Sequence, residues 1–169
     1  MKQIILLITL LSIFQFSSNA QTMDYTNELK ERALLKELVD TFSNLADTKE
    51  VHAQVQLFTP NATSETFVNG SSVSKLTGRE ELEKAFGAFL AKFETVYHFN
   101  GQQIFTLNGD KALGTSYCMV TLIGTENGRK MKTTIGVIYQ DEFVHDNDKW
   151  LIAKRKANFN WQDKQPLSQ

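Results

Sequence analysis

The sequence of 169 residues holds one cysteine and two prolines, and its charges nearly cancel, with 18 Lys and Arg against 19 Asp and Glu. The lone Cys118 excludes an internal disulfide framework and a Cys-rich zinc module. The formal net charge of −1 argues against a nucleic-acid binder, which would carry a basic face. With 22% charged and 41% hydrophobic residues, the chain is not disordered, collagen-like or coiled-coil. It has no glycine-rich phosphate loop and no Ser or Cys nucleophile motif. His52 and His145 read as surface residues, and neither has a neighbouring His, Cys or acidic set at ligand spacing. No metal site and no cofactor are therefore expected.

What is present begins with an address. Lys2 precedes an apolar run from Ile4 to Phe16, and Ser18-Asn19-Ala20 places small residues before Gln21. This is the pattern of a secretory signal peptide over residues 1–20, and the run is short for a membrane span of about 20 residues. The chain is expected to be exported, periplasmic or secreted, with no membrane span after cleavage. The remaining 149 residues suffice for one domain with a real core, expected over 21–161 and followed by a loose polar tail at 162–169. In an exported chain the single thiol of Cys118 is expected to be buried and inert.

Leu35, Leu38, Val39, Phe42, Leu45 and Ala46 recur at helical steps and predict a helix over roughly Thr26–Ala46. Val51, Val55 and Leu57 suggest a short second helix, stopped by Pro60. Thr77-Gly78-Arg79-Glu80 reads as a capping box opening a third. Thr63–Val68 and Val73–Leu76 flank Asn69-Gly70, a hairpin dipeptide. Four further strands are predicted at Thr95–Leu107, Lys111–Ile123, Lys130–Phe143 and Trp150–Phe159, punctuated by Asn108-Gly109-Asp110, Asn127-Gly128 and Asp146-Asn147-Asp148. Three N-terminal helices packed on a curved antiparallel sheet make an α+β domain. Wrapped into a cone, such a sheet offers its mouth to a small apolar ligand.

In order, the landmarks are Leu45-Ala46-Asp47, then Leu57-Phe58-Thr59-Pro60-Asn61-Ala62, then Leu76-Thr77-Gly78-Arg79-Glu80-Glu81-Leu82. His98 follows near the start of a long strand, then Asn108-Gly109-Asp110-Lys111-Ala112 and a last strand opening Lys149-Trp150-Leu151-Ile152-Ala153. Over about Leu29 to Trp161 the chain resembles the SnoaL-like branch of the NTF2-like (cystatin-like) superfamily. The resemblance implies the cone-shaped fold and a homodimer through the outer sheet face. Relatives include scytalone dehydratase, ketosteroid isomerase and binding proteins, so fold alone does not fix function.

The resemblance makes Asp47 and His98 the candidate acid–base residues, because dehydratase-like members carry an acid at the end of the first helix and a pocket histidine. Asp47 also reads as an N-cap of the second helix. A one-residue slip flips a strand's faces. If Phe93, Thr95, Tyr97 and Phe99 form the inner side, Tyr97 and not His98 lines the pocket. Other dehydratase positions depart from the pattern: Ala46 replaces a tyrosine, Ser64–Phe67 contains none, and Leu122–Ile123 is apolar where a histidine is expected. Phe42, Phe67, Phe86, Trp150 and Asn158 are the remaining candidate pocket residues. Lys154-Arg155-Lys156 is expected to balance nearby acids, and Asp141-Glu142 and Asp146-Asn147-Asp148 to lie in solvated turns.

Three functions fit. One is an exported module binding a small apolar or aromatic molecule in the cone. A second is a cofactor-independent lyase or isomerase using Asp47 with His98 or Tyr97. The third is a dimeric interaction domain whose cone is filled.

Overall fold

The computed structural model describes residues 25–167, so the expected leader at 1–20 lies outside the described residues. Three helices, α1 (Lys2–Asp47), α2 (Val51–Val55) and α3 (Gly78–Leu90), accompany six strands. The strands are β1 (Phe58–Val68), β2 (Ser71–Thr77), β3 (Thr95–Asn108), β4 (Lys111–Glu126), β5 (Arg129–Asp146) and β6 (Lys149–Pro166). By its contacts the chain divides into residues 1–34 and 35–169. In the first unit the described residues are helical and carry a Glu28–Arg32 pair at 2.7 Å, one helical turn apart. The second unit holds the sheet and the core.

The three packed helices expected at the N-terminal side are corrected to one long helix, α1, beside a 13-residue α3 and a five-residue turn at α2. α1 ends where Lys49 takes a left-handed φ of 60°. The N–H of Glu50 bonds Leu45 O at 2.9 Å and that of Lys49 bonds Ala46 O at 3.1 Å, closing the carbonyl end of the helix in a reverse turn. Glu50, not Asp47, occupies the N-cap of α2, and its side chain makes no capping bond. The capping box of α3 is also corrected. Thr77 is the N-cap but its hydroxyl caps nothing, and its own N–H donates to Glu81 at 2.7 Å. Arg79 adds a tether, with Nε donating to Phe58 O at 2.9 Å and Nη1 to Gln56 Oε1 at 2.8 Å.

The sheet order is β2-β1-β6-β5-β4-β3, antiparallel throughout except for the parallel β1–β6 pair. The predicted turns hold. Asn69-Gly70 and Asn127-Gly128 adopt positive φ at both residues (50° and 77°, 51° and 75°), as a two-residue hairpin with right-handed strand twist requires. β6 does not stop at Phe159. It pairs with β5 as far as Met131↔Pro166, so the polar segment expected to be loose from Gln162 is strand to Pro166.

One irregularity sets which residues face inward. β3 slips register against β4 between Asn100 and Gln103. Before the slip Val96 and His98 point inward and Tyr97 and Phe99 are exposed; after it Phe105 is buried and Ile104 exposed. A bulge of this kind adds a residue and inverts the alternation. β4 keeps a simple alternation, with Ala112, Ser116, Cys118, Val120 and Leu122 buried. The core gathers Val96, Cys118, Val120, Leu122, Ile135, Val137 and Ala157 from the sheet with Ala46 and Leu90 from the helices. Cys118 is buried as expected, and burial pushes its thiol up to about 12.

Candidate active site

Asp47, the last residue of α1, faces β3. Its two carboxylate oxygens each accept the backbone N–H of His98 at 3.1 Å, and Oδ1 lies 2.6 Å from His98 Nδ1. The His98 side chain is 7% exposed and that of Asp47 23%. An ionised carboxylate only accepts, so with Asp47 in that form Nδ1 is the donor of this contact and a neutral ring presents Nε2 as its acceptor. The main-chain bonds matter as much as the side-chain one, because they fix the carboxylate before the ring is placed.

The same face of α1 carries Ser43 and Asp40, one and two turns earlier. Asp40 Oδ1 accepts from Asn100 Nδ2 at 3.0 Å and Gln103 Nε2 at 2.9 Å, and Ser43 donates to Asn100 Oδ1 at 3.1 Å. Partial burial opposes the Asp40 charge, but bonds from Lys36, Asn100 and Gln103 more than offset it and hold its carboxyl below the usual range. Helix and bulged strand are thus pinned at the slip itself.

His98 lines a cavity of about 290 Å³ with walls from α1, α2, α3 and the inner face of the sheet, near the lower end of the range for small-molecule sites. The cavity is largely apolar, with Phe42, Phe86, Phe89, Leu90, Leu122 and Ile135 on its walls. Phe42 stands edge-to-face against Phe86 at 6.2 Å and Tyr139 at 6.2 Å. These rings pack against one another in the cavity wall.

Arg155 also reaches the cavity. Register pairs it with Asp141 across β5 and β6. Nε and Nη2 of Arg155 bond Asp141 Oδ1 and Oδ2 at 2.8 and 2.7 Å, with the side chains 2% and 1% exposed. Asp141 is therefore buried, not part of a solvated turn; Arg155 does balance an acid, as read. Its guanidinium carbon lies 4.0 Å from the Phe42 ring centre and 4.4 Å from that of Tyr139. Burial disfavours its charge, yet Asp141 raises its pKa on balance. Burial also holds the Tyr139 phenol protonated, its pKa well above the ordinary value. Gln54 lines the cavity too. Its Nε2 donates to Phe42 O at 3.1 Å, which fixes the amide orientation.

Two polar atoms here have no protein partner, Nη1 of Arg155 and Oε1 of Gln54. Buried polar atoms are rarely left so.

Of the sequence-predicted residues, the structure brings together Asp47, His98, Phe42 and Phe86. Tyr97 is 56% exposed on the outer face, so the register alternative in which it lines the pocket is overturned. Phe67 does not line the cavity, although Ser64 and Thr66 of the same strand do. Trp150 is buried away from the cavity with its ring 5.0 Å from that of His145. Asn158 faces opposite to the cavity-lining Ala157 and donates to Ile138 O at 3.2 Å. His52 is a surface residue, 3.2 Å from Glu83. Gln54, Tyr139 and Arg155 were missed. Among the described residues no group of three or more His, Cys, Asp and Glu could hold a metal ion.

The SnoaL-like domain family matches residues 27–156. The chain belongs to this family. An uncharacterized protein of Mycobacterium tuberculosis is 22% identical over 129 residues, covering 76% of this chain and 84% of its own. A putative scytalone dehydratase from Novosphingobium aromaticivorans superposes with a TM-score of 0.71 at 15% identity, over 83% of this chain and 91% of that one. The hexachlorocyclohexane dehydrochlorinase LinA-type3 of Novosphingobium barchaimii superposes at 0.67 with 17% identity, over 83% and 92%. These likenesses establish the NTF2-like fold of the SnoaL-like chain. Among the described residues no helix is long and apolar enough to cross a membrane.

Proposed function

We propose that this SnoaL-like chain is a cofactor-independent lyase or isomerase that removes a proton from carbon in a small, mostly apolar substrate. The observation that carries the reading is the 2.6 Å contact of Asp47 with His98 Nδ1 beside an open apolar cavity. Asp47 holds the tautomer with Nε2 free and stabilises the imidazolium formed when Nε2 takes the proton. An acid–base pair of this kind contributes about 10²–10⁴-fold. The apolar walls exclude water and strengthen each charge interaction inside. The names of the two structural neighbours, a dehydratase and a dehydrochlorinase, support an elimination. Binding of a small apolar molecule, the simpler function, is a necessary part of this reading.

The test is a screen of cyclic β-hydroxy and β-halo carbonyl compounds for loss of water or halide, read by mass spectrometry. His98→Asn and Asp47→Asn are expected to lower turnover of any hit by about 10²-fold or more, with folding retained. Variants as active as the unaltered chain would leave simple binding in its place.

Two further expectations belong to the same proposal. Export rests on the apolar run ended by Ser18-Asn19-Ala20, and N-terminal sequencing of the secreted product should begin at Gln21. The homodimer rests on the outer sheet face, where Tyr97, Phe99, Ile104, Leu113, Tyr117, Met119 and Trp161 are all 46% or more exposed. That is a large apolar patch for a monomer.

A further inference from the structure

The cavity holds a charge that does not act as one. Arg155 is its only basic side chain apart from His98, which at first sight marks it for an anionic ligand. Asp141 already takes Nε and Nη2 in two short bonds, and both side chains are almost wholly buried. The pair is neutral as a unit, so an entering carboxylate would meet no net positive charge to offset its own desolvation. What the pair leaves over is Nη1, whose two N–H groups have no protein partner.

Gln54 supplies the complement. With Nε2 spent on Phe42 O, its Oε1 is a buried acceptor without a partner. Both side chains line the same cavity, and both are anchored on Phe42, the guanidinium over its ring and the amide on its carbonyl. They do not satisfy each other, since each stays unpartnered. Leaving either atom unpaired in a dry site is costly. A group that satisfies both must accept one hydrogen bond and donate another.

We propose that Arg155 Nη1 and Gln54 Oε1 form a subsite for one neutral hydroxyl group on an otherwise apolar ligand, which accepts from Arg155 and donates to Gln54. The subsite rests on reading this cavity as the ligand site and deepens it by naming the ligand class. A carboxylate cannot donate to Gln54 and presents a lone pair to it. A hydrocarbon or an organic halide fills the volume but leaves the acceptor unpaired. Selectivity of this kind exceeds what apolar walls supply, because a site built to bond a hydroxyl rejects the analogue that lacks it.

The test uses four probes on one carbon skeleton, 2-indanol, indane, 2-chloroindane and indane-2-carboxylate, titrated into the full chain by calorimetry. 2-Indanol is expected to bind at least about tenfold more tightly than each of the other three, the increment of a hydrogen bond to a charged donor. Gln54→Met should remove that preference while leaving the affinity for indane within about twofold. His98→Asn should leave the preference intact, because the subsite does not involve the proton-transfer pair. Equal affinities for 2-indanol and indane would overturn the subsite and show that a bridging water serves the two atoms. Tightest binding of the carboxylate would overturn the neutrality of the Arg155–Asp141 pair. Should Gln54→Met fail to fold, the ranking of the four probes on the unaltered chain still decides. Loss of hydroxyl preference with turnover intact would remove the subsite alone; intact preference with His98→Asn fully active would remove the lyase alone.

Discussion

Replacing Asp141 with alanine isolates what the buried pair contributes. Its carboxylate and the Arg155 guanidinium are joined by bonds of 2.8 and 2.7 Å where neither side chain is more than 2% exposed. Removal of one partner leaves a buried, uncompensated cation, which costs about 3–5 kcal/mol. The rings of Phe42 and Tyr139, 4.0 and 4.4 Å from the guanidinium carbon, go on attracting it, by up to ~2 kcal/mol when desolvated. We therefore expect the low end, about 3 kcal/mol. For a chain of this size that lowers Tm by about 6–12 °C. Urea unfolding followed by tryptophan fluorescence measures it, provided the slope with denaturant stays constant. Replacing Arg155 with methionine in the same chain removes the stranded charge and should recover more than half of the loss. A loss below about 1 kcal/mol in Asp141→Ala, or a double variant less stable than the single one, would refute the account of Arg155 as a cation held by its partner.

Tyr97→Ala should leave turnover within about twofold of the unaltered chain, since the ring faces outward; a loss as large as that of His98→Asn would reverse the assigned register. Cys118 should resist a thiol reagent at pH 8 in the native chain and react fully in urea, because burial keeps the thiol neutral. Its folded pKa is raised to about 12 from 9.0, so the folded state holds the proton longer. The resulting stability is complete below about pH 9 and declines as pH rises from there toward 12; in Cys118→Ala that alkaline decline should weaken. Leu113→Asp combined with Tyr117→Glu should convert a dimer to monomer by light scattering, and a monomeric mass for the unaltered chain at high concentration would dismiss the outer face as an interface.

Local signals in the sequence carried much of the fold. Asn69-Gly70 and Asn127-Gly128 specify backbone conformations that few other residue pairs tolerate, and both turns form where read. The first helix was legible from its apolar stripe. Where the reading stopped, the information was not local. Tyr97 and His98 could not be separated because the outer face is itself apolar, so hydrophobicity gave no contrast between the two registers. Glu81 rather than Glu80 closes the start of α3, a difference of one position in a flexible side chain. Arg155 sat in plain sight within Lys154-Arg155-Lys156, but its partner lies 14 residues earlier and only the β5–β6 register joins them. Gln54 carried no signal at all, because a glutamine on a short helix is ordinarily a surface residue.

The slip in β3 between Asn100 and Gln103 allows one strand to work in two phases. Even-numbered positions before it turn inward, His98 to the cavity and Val96 to the core, and after it the odd-numbered Phe105 is the one buried. Neither segment has to compromise its residue types for the other. Loss of one residue at Gly101 or Gln102 would put the two segments back in phase, forcing either His98 outward or Phe105 into solvent. Length changes at this point are thus a switch between a chain that keeps its chemistry and one that keeps only its scaffold.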